Sequence, residues 1–232
     1  MIPLRDRNPR STTPFVTVSL IIVNVLVFLY QLSLGPRVGE AFAFTFGMIP
    51  ARIPLAFSAG AQVTVGQAFF PLFTSIFLHG GFLHLAGNMW FLWVFGDNVE
   101  DRLGHARYLL FYLLCGLGAG LAHTFVNLNS TIPAVGASGA ISGVLGAYLI
   151  LFPGARVLTL IPLIVFFFTV ELPAFILLLY WFLIQSLSGL SSLGGREGGG
   201  TAWWAHIGGF LLGILLVLLM RPSRRAAAVY RY

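Results

Sequence analysis

The sequence predicts an all-α membrane protein, a bundle of six spanning helices with both termini cytoplasmic. Three observations carry that expectation. Hydrophobic residues make up 58% of the 232 and charged residues only 9%, with a mean hydropathy of +0.91. That composition belongs to chains whose main solvent is lipid. Apolar runs near the length of roughly 20 residues that crosses a bilayer core recur along the chain. All thirteen basic residues are arginine, gathered beside the ends of those runs. The net charge of +6 does not indicate nucleic acid, because the arginines line no polar face. Cys115 is alone, so there is no disulfide framework, and its apolar setting reads as packing.

Residues 1–15 are expected to form a short cytoplasmic segment. The first span covers 16–34, after Arg5, Arg7 and Arg10. It is too long for a signal-peptide core and no small-x-small cleavage site follows it, so it is an anchor. Residues 35–78 are too apolar for a solvated loop and, with Pro36, Pro50, Pro54 and Pro71, too broken for a span. They are expected to lie in the interface or dip into the membrane. The second span is 81–95, closed by the charged turn "GDNVEDRLG"; the third is 107–126 and the fourth 137–152. An apolar, proline-containing stretch at 156–171 is expected to be interfacial. Glu171 then opens the fifth span, 172–190, at a helix N-terminus that favours an anion. "GGREGGG" at 194–200 reads as a flexible linker, 202–220 as the sixth span and 221–232 as a cytoplasmic tail. Six spans put ten arginines on the side of the termini and only Arg37, Arg52 and Arg196 opposite. By the positive-inside rule that side is cytoplasmic.

Orientation gives depth. The second, fourth and sixth spans all enter from the extracytoplasmic side. His84 and Asn88, at i and i+4 on one helical face, Ser138 and His206 lie near their entering ends. Polar groups at membrane depth are costly and usually face a bundle interior or a water-filled cavity, which makes them candidates for function. Gly136, Gly139, Gly143 and Gly146 fall within an arc of about 80° on a helix, and His206, Gly209 and Gly213 share a face of the sixth span. If these small-residue stripes meet, Ser138 and His206 come together. A serine hydroxyl needs an adjacent base, for which neutral imidazole suits. Free N–H groups at the start of the fourth span, with Asn88 and His84, are candidate oxyanion donors. Asp97 and Asp101 fall at the cytoplasmic end, so the pair would be a dyad.

The pieces "HGGFLHLAGNMWFLWVFGDNVEDRLG", "GASGAISGVLGA" and "AHIGGFLLG", in this order and in these spans, resemble the rhomboid intramembrane serine proteases. The resemblance extends over nearly the whole of 16–220. It implies Ser138 as nucleophile and His206 as general base, with His84, Asn88 and the Ser138 amide as oxyanion hole. It implies that Gly136 and Gly139 shape the turn around the serine, Gly209 serves the close helix contact, and His79 is structural. It also implies cleavage of single-span or polytopic membrane proteins near the extracytoplasmic face of a cell membrane, such as a bacterial inner membrane, with no metal or cofactor. Two positions depart from the pattern. Phe70 and Pro71 stand nearest to where many members carry a Trp-Arg pair in the first long loop, and Ser142 stands where some carry an aromatic residue against the histidine.

Three classes of function follow from the residues: an intramembrane serine endopeptidase, a catalytically idle relative that binds membrane clients, and a transporter or metal-binding channel built on His79, His84 and His206. No carboxylate-rich ion path supports the last, and His79 and His84, at i and i+5, poorly share a helical face. An α/β-hydrolase elbow is excluded, since it needs glycine where Ala140 stands. In the bland readings Ser138 is a packing residue, and His84 and Asn88 are a bonded pair that stiffens the bundle. His105 reads as a surface residue of the cytoplasmic turn, the 97–102 cluster as a solvated turn with capping, and His123 as interfacial.

Overall fold

A computed structural model describes residues 1–163, 166–193 and 201–220. The expected linker at 194–200 and tail at 221–232 lie outside the described residues. Nine α-helices, a 3-10 turn (Ser75–Phe77) and three strands occur among the described residues: β1 (Ile2–Asp6), α1 (Phe15–Ser33), α2 (Gly35–Phe46), α3 (Arg52–Leu55), α4 (Val65–Thr74), α5 (Phe82–Leu103), α6 (His105–Val126), α7 (Ser138–Leu151), β2 (Arg156–Leu163), β3 (Phe166–Pro173), α8 (Ala174–Ser192) and α9 (Trp203–Leu219). By length and composition α1, α6 and α8 are each able to cross a membrane. The α4 segment and α5 pass the same test as one span bent by 75°, and α7 and α9 are shorter apolar helices.

α7 is the axis of the bundle. Its residues from Gly139 to Tyr148 are buried without interruption, with α9, α6 and α5 around it. The buried aromatic side chains Tyr108, Tyr112, Phe95, Phe111, Tyr148 and Phe210 fill the spaces between these helices. The two glycine stripes face each other. A Cβ on Gly209 would stand 2.1 Å from the Gly139 carbonyl oxygen, and one on Gly213 would stand 2.1 Å from that of Gly143. At such a separation only glycine fits, the backbone-on-backbone contact of small-residue helix packing. Gly136 is not part of the stripe: it precedes α7, with φ +133°.

Several expectations are corrected. The mainly helical bundle fits the expected all-α membrane class, with one sheet added where an interfacial stretch was expected. Residues 156–173 form an antiparallel hairpin, β2 against β3 from Arg156↔Pro173 to Leu163↔Phe166, and β1 adds to β2 to give a three-stranded sheet. The alternation that would betray such strands is absent, because Leu160 to Leu163 and Phe166 to Phe168 are apolar on both faces. Glu171 therefore does not open a helix; it lies in β3 and pairs with Arg7.

The second span does not end at a charged turn either. α5 continues through "GDNVEDRL" to Leu103, and its carboxylates are inside rather than solvated. Glu100 is fully buried and accepts the amides of Val16 (2.9 Å) and Thr17 (2.8 Å) at the start of α1. Asp101 accepts the Ser11 amide and hydroxyl and the Thr12 hydroxyl, while Arg10 reaches Asp97 at 3.2 Å. Glu100 thus satisfies orphan donors at the N-terminus of α1 from a neighbouring helix, the same chemistry a local cap supplies, while Asp101 and Asp97 tie down the segment that leads into it. His105 is the first residue of α6, with Nδ1 2.6 Å from Glu100.

Residues 35–78, expected to lie in the interface or dip into the membrane, hold the short helices α2, α3 and α4. α4 starts with a capping box, the Thr64 amide donating to Gln67 and the Gln67 amide to the Thr64 hydroxyl. With Phe70 and Pro71 in place of a Trp-Arg pair, the segment is held by backbone. Met48 and Ala134 exchange both amide hydrogen bonds (3.0 and 2.8 Å), and the Ala51 amide donates to Ser130. Thr74 adds a side-chain bond to the Phe46 carbonyl at 2.6 Å.

Candidate active site

The site lies at the end of the bundle where α5, α7 and α9 begin. Its scaffold is a set of backbone ties between the loops that enter those helices. The Gly136 amide donates to the Ser75 carbonyl (2.9 Å), fixing the strand before α7 to the turn before α5. The His79 amide and carbonyl are clasped by the Gln31 side chain of α1 at 3.1 and 3.3 Å. With its backbone held and its ring buried, His79 belongs to this scaffold.

Ser138 is the first residue of α7, so its amide is among the helix N–H groups that have no partner within the helix. Its hydroxyl lies 2.8 Å from Nε2 of His206, one turn into α9. Ser142, one turn further along α7, bonds back to the Ser138 carbonyl at 2.6 Å. The two stripes explain the meeting: with the backbones of α7 and α9 nearly in contact at Gly139 and Gly209, side chains just above that contact converge.

His84 and Asn88 line the same place from α5. A Cβ added to Gly136 would lie 2.7–2.8 Å from the His84 ring and 3.6 Å from Asn88 Nδ2. Two constraints thus make residue 136 a glycine: the positive φ and the two polar side chains pressed against it. Asn88 is buried, yet its Nδ2 has no hydrogen-bond partner. A buried orphan donor is unusual enough to need a reason, and here it sits beside Ser138's loop. No hydrogen bond joins His84 to Asn88 among the described residues, so the bonded-pair reading does not hold. His84 is exposed where Asn88 is not, so the space between them and Ser138 is open on the His84 side.

The sequence left open what holds His206 when residue 142 is serine. α8 does so. Gln185, buried in α8, places Oε1 2.7 Å from His206 Nδ1. Trp181, one turn earlier on the same face, lies 6.0 Å from the imidazole centroid with planes 35° apart, and Trp203 meets the ring edge-on at 6.2 Å. Neither Gln185 nor Trp181 was singled out from the sequence. A signal was present, because Gln185 is a lone amide in the apolar run "FILLLYWFLIQSLSGL", and a polar group at such a position invites a partner. His123, in the last turn of α6, is not brought to the site by any hydrogen bond among the described residues.

Residues 66–223 match the family model of the Rhomboid domain. The chain belongs to the rhomboid family. RHOMBOID-like protein 4 of Arabidopsis thaliana is 30% identical over 92% of the chain and 55% of its own length. The rhomboid protease GluP of Bacillus subtilis is 44% identical over 41% of the chain and 18% of its own length. The mitochondrial rhomboid protein 1 of Saccharomyces cerevisiae is 31% identical over 61% of the chain and 39% of its own length. The chain spans about half or less of the length of these relatives. As a rhomboid with apolar helices of spanning length, it is a multi-pass, mainly helical membrane protein.

Proposed function

We propose that this rhomboid is an intramembrane serine endopeptidase that cleaves transmembrane segments of other membrane proteins with a Ser138–His206 dyad. The observation that carries the proposal is the 2.8 Å contact between Ser138 Oγ and His206 Nε2, within the range of a nucleophile–base hydrogen bond. As Oγ attacks the scissile carbonyl carbon, its proton passes to Nε2. The developing oxyanion takes donors from the Ser138 amide, Asn88 Nδ2 and His84. When the C–N bond breaks, the imidazolium returns the proton to the leaving amine. Water then attacks the acyl ester, losing its proton to Nε2, and the proton goes back to Oγ as the acid departs.

The helix lengths support a site below the membrane surface. At 1.5 Å per residue, α7 and α9 are about 21 and 26 Å long, short of the ~30 Å of hydrocarbon. With six spans and cytoplasmic termini, as the arginine distribution favours, helices that begin late recess Ser138 and His206 beneath the extracytoplasmic face. The bilayer, in our reading a cell membrane, is then the medium that delivers single-span or polytopic substrates.

Labelling with a fluorophosphonate tests the chemistry. The wild type should become covalently modified at Ser138, Ser138→Ala should not, and His206→Ala should lose nearly all labelling while remaining folded. Undiminished labelling of His206→Ala would remove the base from the mechanism.

A further inference from the structure

We propose that Gln185 is a positioning residue that selects the tautomer of His206 and so makes it a base; this rests on the serine protease reading. Nδ1 of His206 faces Gln185 Oε1 at 2.7 Å, and Nε2 faces Ser138 Oγ at 2.8 Å. A neutral imidazole has one N–H and one lone pair, so the partner of one nitrogen decides the role of the other. An amide oxygen only accepts. Nδ1 must therefore carry the proton and donate to Gln185, which leaves Nε2 with the lone pair that receives the Ser138 proton. Turned over, the amide would offer N–H to Nδ1, force the proton onto Nε2 and leave Ser138 with no base.

The surroundings give Gln185 little freedom. It is buried on α8, and its side chain reaches His206 by the hydrogen bond from Oε1. Trp181 on the same helical face lies against the ring of His206. One face of α8 thus holds the imidazole by its plane and by its Nδ1 edge. In an Asp-containing triad a carboxylate performs the second task and also stabilises the imidazolium. Neutral Gln185 does only the orienting, so its contribution is smaller and different in kind.

Two variants and two readouts separate orientation from mere structure. Gln185→Leu keeps the volume and removes the acceptor. Its kcat should fall by about 10- to 100-fold, the scale on which the partners that orient metal-bound histidines act, carried here to a catalytic one, with KM unchanged. Gln185→Glu restores an acceptor on the same stem. Because a carboxylate also favours the imidazolium, its acid limb should move to higher pH while kcat on the alkaline side recovers well above that of Gln185→Leu. A residue that only packs predicts no such rescue and no such displacement.

The second readout needs no activity: in ¹⁵N-histidine-labelled protein, His206 should be the Nδ1–H tautomer in the wild type and lose that preference in Gln185→Leu. An Nε2–H tautomer in the wild type, or wild-type kcat in Gln185→Leu, overturns the proposal. Failure of the protease reading itself would look different, with the wild type cleaving no faster than Ser138→Ala whatever stands at 185.

Discussion

Replacing Gly209 by alanine adds one methyl group and should disable the site through helix packing alone. The new Cβ would stand 2.1 Å from the Gly139 carbonyl oxygen and 3.3 Å from the Ala119 methyl. Backbone cannot rotate out of the way as a side-chain end does, so α9 must retreat from α7 by about 1 Å to reach even a tight carbon–oxygen contact. His206 is three residues away on the same rigid helix. A retreat of that size stretches its 2.8 Å bond to Ser138 to about 3.8 Å, beyond hydrogen-bond range. Misplacement by 1 Å costs on the order of 10²-fold in rate, and overpacking of this kind costs about 1–3 kcal/mol in stability. Cleavage of a membrane-embedded substrate and a thermal melt, both in the same detergent, measure the two effects. Gly213→Ala makes an equally close contact, 2.1 Å from the Gly143 oxygen, but one turn further from His206. It should destabilise as much and lose less activity per folded molecule. Leu215→Val, at an exposed position of α9, should change neither. If Gly209→Ala keeps both rate and melting temperature, α7 and α9 do not meet along these glycines, and the packing route to the dyad is wrong.

Other perturbations separate the site from its frame. Asn88→Ala removes a donor with no protein partner, so kcat should drop by about 10²–10³ with little change in melting; unfolding at unchanged specific activity would make Asn88 structural. Glu100→Ala orphans the Val16 and Thr17 amides and should cost about 2–4 kcal/mol while kcat per folded molecule stays the same, since Glu100 lies at the opposite end of α5 from His84. A rate loss exceeding the loss of folded protein would contradict that separation. Burial, aided by the Asp97 carboxylate, lifts Asp6 to about 7 against the hydrogen bond from Tyr148. A carboxyl raised in the folded state favours the protonated form. Its stabilisation is complete below about pH 4 and fades as pH rises through about 7. Melting followed from pH 4 to 8 should therefore fall more steeply in the wild type than in Asp6→Asn; identical slopes would refute the assignment.

How far the sequence reached depended on what each feature leaves in a linear pattern. The long apolar runs reported α1, α6 and α8 directly, and the glycine spacings in "GASGAISGVLGA" and "AHIGGFLLG" reported a contact between helices whose touching glycines, Gly139 with Gly209 and Gly143 with Gly213, are 70 residues apart in sequence, because close approach tolerates nothing larger. The hairpin at 156–173 was illegible. A strand apolar on both faces has no two-residue alternation, and its flanking apolar helices blur its ends. The cluster at 97–101 was legible as a cap but not as a buried one: charges after an apolar run usually mark a solvated turn, whereas here Glu100 caps α1 from within the bundle. Gln185 was missed because glutamine in one span has no meaning until α8 is packed against His206. Its partner lies 21 residues away, beyond the glycine-rich 194–200 stretch, with no periodic link between them.

In our proposal Ser138, activated by His206, cleaves membrane-embedded segments. The most direct test is to reconstitute the wild type and Ser138→Ala in liposomes with a panel of single-span substrates and follow the products by mass spectrometry. The account predicts cuts near the extracytoplasmic end of at least one substrate by the wild type, and none by Ser138→Ala, which stays folded because it loses only a hydroxyl at a site built for small residues. Cleavage by Ser138→Ala at the wild-type rate would contradict the account.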